Sequence, residues 1–140
     1  MTPDDTLRAL AALEAAWRQD SRALEALAEC GPGETRLPVL VADYGDLVLD
    51  SMLSLACGIH GGMDEAEFDA AMERKEADVT VRMCAALGRT LKSWAATAPD
   101  SASGDVARAV VDAVHTFTAA GEEDVLRLLA ALRAGVLGGS

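Results

Sequence analysis

The sequence predicts an all-α fold, a single-domain helical bundle of about five helices over residues 1–140, on three observations. Hydrophobic residues make up 51% of the chain and aromatics only 4%, so the core must be aliphatic, and its Ala and Leu are strong helix formers. The apolar residues recur at three- and four-residue spacing rather than alternating. Gly- and Pro-containing segments divide the chain into stretches of helical length, and 140 residues suffice to bury a core without disulfide or metal staples.

The first helix starts near Pro3-Asp4, because Pro suits a first turn, and stops before Gly31-Pro32-Gly33. Leu10, Leu13, Trp17, Leu24 and Leu27 follow a seam that Asp20 interrupts. Either Asp20 caps a second helix, or one continuous or kinked helix runs through it. The i, i+4 pair Glu14–Arg18 favours the latter. A second helix runs from the turn at Pro38 to Gly58, and His60-Gly61-Gly62 forms a loop.

Asp64 and Glu67 have the spacing of a capping box, which places the third helix start at about Asp64. Phe68, Met72, Val79, Met83, Leu87, Leu91 and Trp94 continue its apolar stripe as far as Pro99, as one helix or as two with a bend near Gly88. Ala98 to Gly104 connects to a fourth helix capped by Asp105, with Val106, Val110, Val114 and Phe117 inward and a stop at Gly121. The last helix runs from Glu122 to about Leu137, with acids in its first turn to suit the helix dipole.

Lys plus Arg is 12 against 23 Asp plus Glu, a net charge of −11, which repels phosphate backbones and anionic lipid heads. No nucleic acid and no membrane partner is expected. Met1-Thr2-Pro3-Asp4-Asp5 lacks the basic start of a signal peptide, which places the protein in the cytoplasm. Cys30, Cys57 and Cys84 are odd in number and unpaired in spacing, so they read as small buried hydrophobes. Cys57-Gly-Ile-His60 has a spacing that zinc sites use, without a second close pair to complete one. An alanine–leucine bundle poor in aromatics completes its core across a symmetric interface, hence a homo-oligomer is expected.

The segment with chemical content is Asp43 to Gly58. At roughly 100° per residue, Asp43, Asp46, Asp50 and Ser54 fall on one narrow arc, while Val41, Leu47, Val48, Leu49, Met52, Leu53, Leu55 and Ala56 cover most of the rest. Three acids on a mostly apolar helix are costly unless their stripe meets water, basic partners or a metal ion.

The run Ala42 to Asp50, with its continuation to Lys75, resembles the second half of a MazG-type all-α nucleoside-triphosphate pyrophosphohydrolase. In that family a helix carries Glu-x-x-Asp, followed by an apolar run, a Gly-containing loop and another amphipathic helix. Here Asp43 stands in place of the Glu and Asp46 matches the Asp. The resemblance implies magnesium held by carboxylates, with Asp43 and Asp46 as ligands, and a nucleoside triphosphate as substrate; Asp50, on the same stripe, is a further candidate ligand. The preceding Glu-x-x-Glu of the family is not matched; Glu25 and Glu29, spaced i, i+4, are the nearby candidates for the second half of the metal site. His60-Gly61-Gly62-Met63-Asp64-Glu65-Ala66-Glu67 is also similar to the acidic loop entering a helix in TerB-like tellurite-resistance domains. Leu47-Val48-Leu49-Asp50-Ser51-Met52 is similar to the phosphopantetheine site of acyl carrier proteins, but Val48 replaces the Gly and the apolar pattern runs through Ser51 without a helix start.

His115 reads as a surface histidine near Asp112, His60 as an exposed loop residue, and Trp17 and Trp94 as core anchors. Two function classes follow: a magnesium- and nucleotide-binding enzyme or enzyme relic, and a non-catalytic interaction or regulatory module with a protein partner. They differ in what faces Asp43 and Asp46. Acids from Glu25 and Glu29, or from Glu65 to Asp69, favour the enzyme; apolar or basic groups favour the module.

Overall fold

The computed structural model describes residues 1–118 and 122–139. Among these the chain forms seven α-helices and no strand: α1 Pro3–Trp17, α2 Ser21–Ala28, α3 Leu37–Ala56, α4 Glu65–Ala77, α5 Val79–Thr97, α6 Ser103–Thr118 and α7 Glu122–Gly138. A 3-10 turn, Asp100–Ala102, precedes α6. No helix among the described residues is long and apolar enough to cross a membrane.

Seven helices replace the expected five because two predicted helices divide. The first ends at Trp17, although the Glu14–Arg18 ion pair does form at 3.2 Å. Asp20 N–H donates to the Ala15 carbonyl at 2.8 Å and Gln19 N–H to Ala16 at 3.2 Å, the two reverse bonds of a Schellman ending. Gln19 adopts φ 58° to make that turn. Asp20 then caps α2 by accepting from Ala23 N–H at 3.1 Å. The other division falls at Asp78 rather than near Gly88. Asp78 ends α4 in extended conformation (ψ 124°) and caps α5 through Val81 N–H.

Elsewhere local chemistry sets the ends as expected. Asp64 and Glu67 exchange both bonds of the capping box, at 2.8 and 3.3 Å. Gly58, at φ 79°, supplies the left-handed residue after α3. Asp105 lies in the first turn of α6 rather than capping it, because the 3-10 turn winds directly into the helix at Ser103. The predicted stop at Gly121 lies outside the described residues.

The core joins α1, α6 and α7 to the first half of α3 and the second half of α5. Leu10, Leu37, Val41, Val106, Val110 and Val125 are its largest fully buried side chains, each contributing about 1.5–3 kcal/mol by leaving water. Gly45 lets α3 approach α6: a Cβ there would lie 2.6 Å from a Val110 methyl. Two arginines fasten the segment between α2 and α3. Arg8 donates to the Leu27 carbonyl at 2.8 and 3.0 Å and to the Thr35 carbonyl at 2.8 Å. Arg36 donates to the Asp100 carboxylate at 3.0 Å and to the Ala98 carbonyl.

The chain leaves this core after Leu49 and re-enters it at Leu91. Residues 50–88 supply no buried member of either hydrophobic cluster. They form a three-helix arm: the second half of α3, all of α4 and the first half of α5. Only Ala71, Lys75, Cys84 and Gly88 are buried within it. The apolar stripe expected to point inward is here largely exposed: Phe68, Val79, Met83 and Leu87 face solvent, as does Trp94 beyond the arm. Leu47 and Leu55 of α3, and Phe117 of α6, also differ from expectation in being exposed.

Candidate functional site

The carboxylate stripe of α3 is built against α5 and α4. α5 presents Cys84, Gly88, Leu91 and Ala95, an i, i+4, i+7, i+11 face of mostly small residues, and runs antiparallel to α3. This close approach brings Lys92 to the stripe, and α4 brings Lys75. Lys92 Nζ lies 2.7 Å from Asp46 Oδ2, and Lys75 Nζ lies 2.7 Å from Asp50 Oδ1. Lys75 also donates to Ser54 Oγ at 2.8 Å, and Ser54 in turn donates to the Asp50 carbonyl at 2.9 Å.

The partners are not equally buried. The Lys75 side chain is 10% exposed, so its ammonium is held largely out of water and requires the Asp50 and Ser54 oxygens. Lys92 is half-exposed. Its hydrogen bond to Asp46 raises its pKa, desolvation opposes this, and the charges of Asp46 and Asp43 add to the rise. Asp43 remains exposed at the solvent edge of the stripe, within electrostatic reach of Lys92.

Basic groups therefore face the stripe. Glu25 lies on α2 and Glu29 caps that helix, which packs on α1, α6 and the 3-10 turn rather than across from Asp43 and Asp46. Glu25 instead borders a surface cleft of about 430 Å³ with Asp105 and Arg108. Glu65, Glu67 and Asp69 sit on α4, all exposed. Among the described residues no group of three or more His, Cys, Asp or Glu side chains converges as metal ligands would. A shallow cleft of about 200 Å³ does open beside the stripe, lined by Asp46, Asp50, Leu53, Val81, Cys84 and Arg89.

The isolated residues fall as follows. His60 is exposed on its loop and accepts from Gly62 N–H through Nδ1 at 3.2 Å. His115 is half-buried rather than superficial: its ring stands 5.8 Å from that of Trp17, and its buried Nδ1 has no hydrogen-bond partner among the described residues. Trp17 packs against the core, as expected of an anchor, whereas Trp94 is 41% exposed. Of the cysteines only Cys84 is buried; Cys57 is half-buried and Cys30 exposed, beside the Arg8 guanidinium at 3.2 Å.

Sequence reasoning missed the two lysines. Lys75 is read most simply as solvated, since Arg74 and Glu76 flank it, and Lys92 lies far from α3 in sequence. The signal available for Lys92 was Gly88, four residues earlier on the same helix: a glycine in mid-helix marks a close neighbour. Comparison with known families, with curated proteins and with solved structures returns no match to this chain.

Proposed function

We propose that this protein is a non-catalytic helical interaction module, with the arm of residues 50–88 as its working surface and the carboxylate stripe as the clasp that holds the arm's helices together. The observation that carries this reading is the pairing of Asp46 with Lys92 and of Asp50 with Lys75, each at 2.7 Å. An ammonium group in contact with a carboxylate already supplies the counter-charge that a magnesium ion would bring. It also repels a second cation. The stripe is thereby used to join α3 to α5 and α4, and the apolar residues left outside are available for contact with another protein.

The experiment is a turnover assay on the whole chain, with nucleoside triphosphates and millimolar magnesium, beside thermal melts with and without the metal. Expected are no pyrophosphate release and a melting temperature indifferent to magnesium. Magnesium-dependent pyrophosphate release that Asp43→Asn and Asp46→Asn abolish would overturn the module reading in favour of the MazG-like one, as would a melting temperature that magnesium raises in the wild type but not in these variants, the mass-action signature of a bound metal.

A further inference from the structure

The arm's outer surface has the composition of an interface. On α5, Val79, Met83, Leu87, Thr90 and Trp94 fall within one arc of about 80° at helical period, beside the face that packs on α3. All five are exposed. Phe68, 45% exposed, lies on α4 with the half-buried Met72. Five of the large exposed apolar residues, Leu55, Phe68, Val79, Met83 and Leu87, thus belong to a segment that supplies the core no buried side chain, only the half-buried Met52 at its edge.

The chain as a whole is extended for its mass. The chain exposes 8163 Å². A compact monomer of 14.5 kDa exposes about 6,900 Å². The excess, about 1,300 Å² over the whole chain, fits a body from which an arm projects, and the roughly 800 Å² that each partner buries in a standard interface is what the arm's outer face would have to supply.

Charge indicates what covers it. α5 carries Arg82, Arg89 and Lys92 and no acid, an exception in a chain of net charge −11. Arg82 and Arg89 share one flank of the apolar arc. On α4, Glu65, Asp69, Glu73 and Glu76 form an exposed stripe at i, i+4, i+8 and i+11. A partner of one sign alone matches one of these helices and is repelled by the other. A second copy related by a two-fold axis matches both, because it sets α5 of each chain against α4 of the other.

We propose that the arm pairs with the arm of a second copy of this chain, burying the Val79–Met83–Leu87 ridge and Phe68, with Arg82 and Arg89 of one copy facing the acidic stripe of α4 in its partner. This pairing rests on the module reading above and names its partner.

The test is light scattering and sedimentation of the full chain from micromolar to near-millimolar concentration, with circular dichroism as a check on folding. The wild type is expected to be a dimer. Met83→Glu, exposed in the single chain, should keep the helical spectrum and weaken the dimer by at least about tenfold. Arg82→Glu alone and Glu73→Lys/Glu76→Lys together should each weaken it, and mixing these two proteins should restore a dimer. A monomer mass throughout, or a dimer untouched by Met83→Glu and by the charge reversals, would overturn the pairing. The turnover assay, which does not depend on oligomeric state, judges the module reading separately.

Discussion

The backbone of Gly88 lies directly beneath the carboxylate of Asp46: a Cβ at position 88 would overlap Oδ1 and come 3.0 Å from Cγ. The absence of a side chain on α5 is what allows Asp46 to lie across that helix and reach Lys92.

One substitution should therefore differ in its effect between two backgrounds. Gly88→Ala in the wild type must displace the Asp46 carboxylate and disturb an ion pair whose side chains are 34% and 42% exposed, a loss of about 0–1 kcal/mol that offsets the gain in helix propensity. With Asp46→Ala already in place, the nearest remaining atom is Asp46 Cβ, at 3.7 Å from the new methyl, an ordinary contact. Gly88→Ala should then stabilise by about 0.5–1 kcal/mol through helix propensity. Denaturant unfolding of the four proteins measures this; additive effects of the two substitutions would show that the close approach has no energetic weight.

Gln19 holds a left-handed conformation that glycine adopts without penalty. Gln19→Gly should raise stability by about 0.5–1 kcal/mol, because the relief of the Cβ clash exceeds the added freedom of the unfolded chain. A thermal melt at fixed protein concentration checks the sign, and a fall would mean that the Gln19 side chain contributes more than its backbone costs.

These two positions also explain how far the fold could be read from the residues. The all-helical class, the caps at Asp64 and Gly58, the inward face of α1 and, Phe117 apart, that of α6 rest on local chemistry and period, and were legible. The end of α1 was not, because its Schellman turn uses Gln where the recognisable residue is Gly. The break at Asp78 was hidden because one residue ends α4 and starts α5 with neither Gly nor Pro. The β-branched Val79-Thr80-Val81 behind an Asp was the available hint. Within the candidate site the carboxylates were evident from spacing, but their lysines come from other helices, and spacing along one helix says nothing of what lies opposite. The exposed ridge on α5 was read as core because an apolar stripe looks alike whether it faces its own chain or another.

Stability should fall on the alkaline side. Burial raises the Cys84 thiol above its ordinary 9.0, with the Asp78 charge adding to it, and burial raises Tyr44 above 10.0. The hydrogen bond to Asp46 raises Lys92 above 10.5. All three are raised in the fold, so each holds its proton more firmly there than in the unfolded chain. Their stabilisation is complete below the unfolded values and is lost as pH rises through the folded ones. Melting temperature should therefore hold level up to about pH 8.5 and fall above about pH 9. Cys84→Ala should remove the earliest part of that fall, and an unchanged profile in this variant would exclude the thiol as a contributor.

The departure of the chain from the core at Leu49 and its return at Leu91 make the arm a peninsula rather than a part of the hydrophobic mainland. The entropy of closing such an excursion grows only logarithmically with its length, about 0.6 kcal/mol for a doubling. Turns of helix added to or removed from α3 and α5 in matched pairs would move the tip by about 5.4 Å each and leave the residues around Leu10 and Val106 untouched. Reach is thus a quantity this architecture can vary almost independently of the stability of the body that carries it.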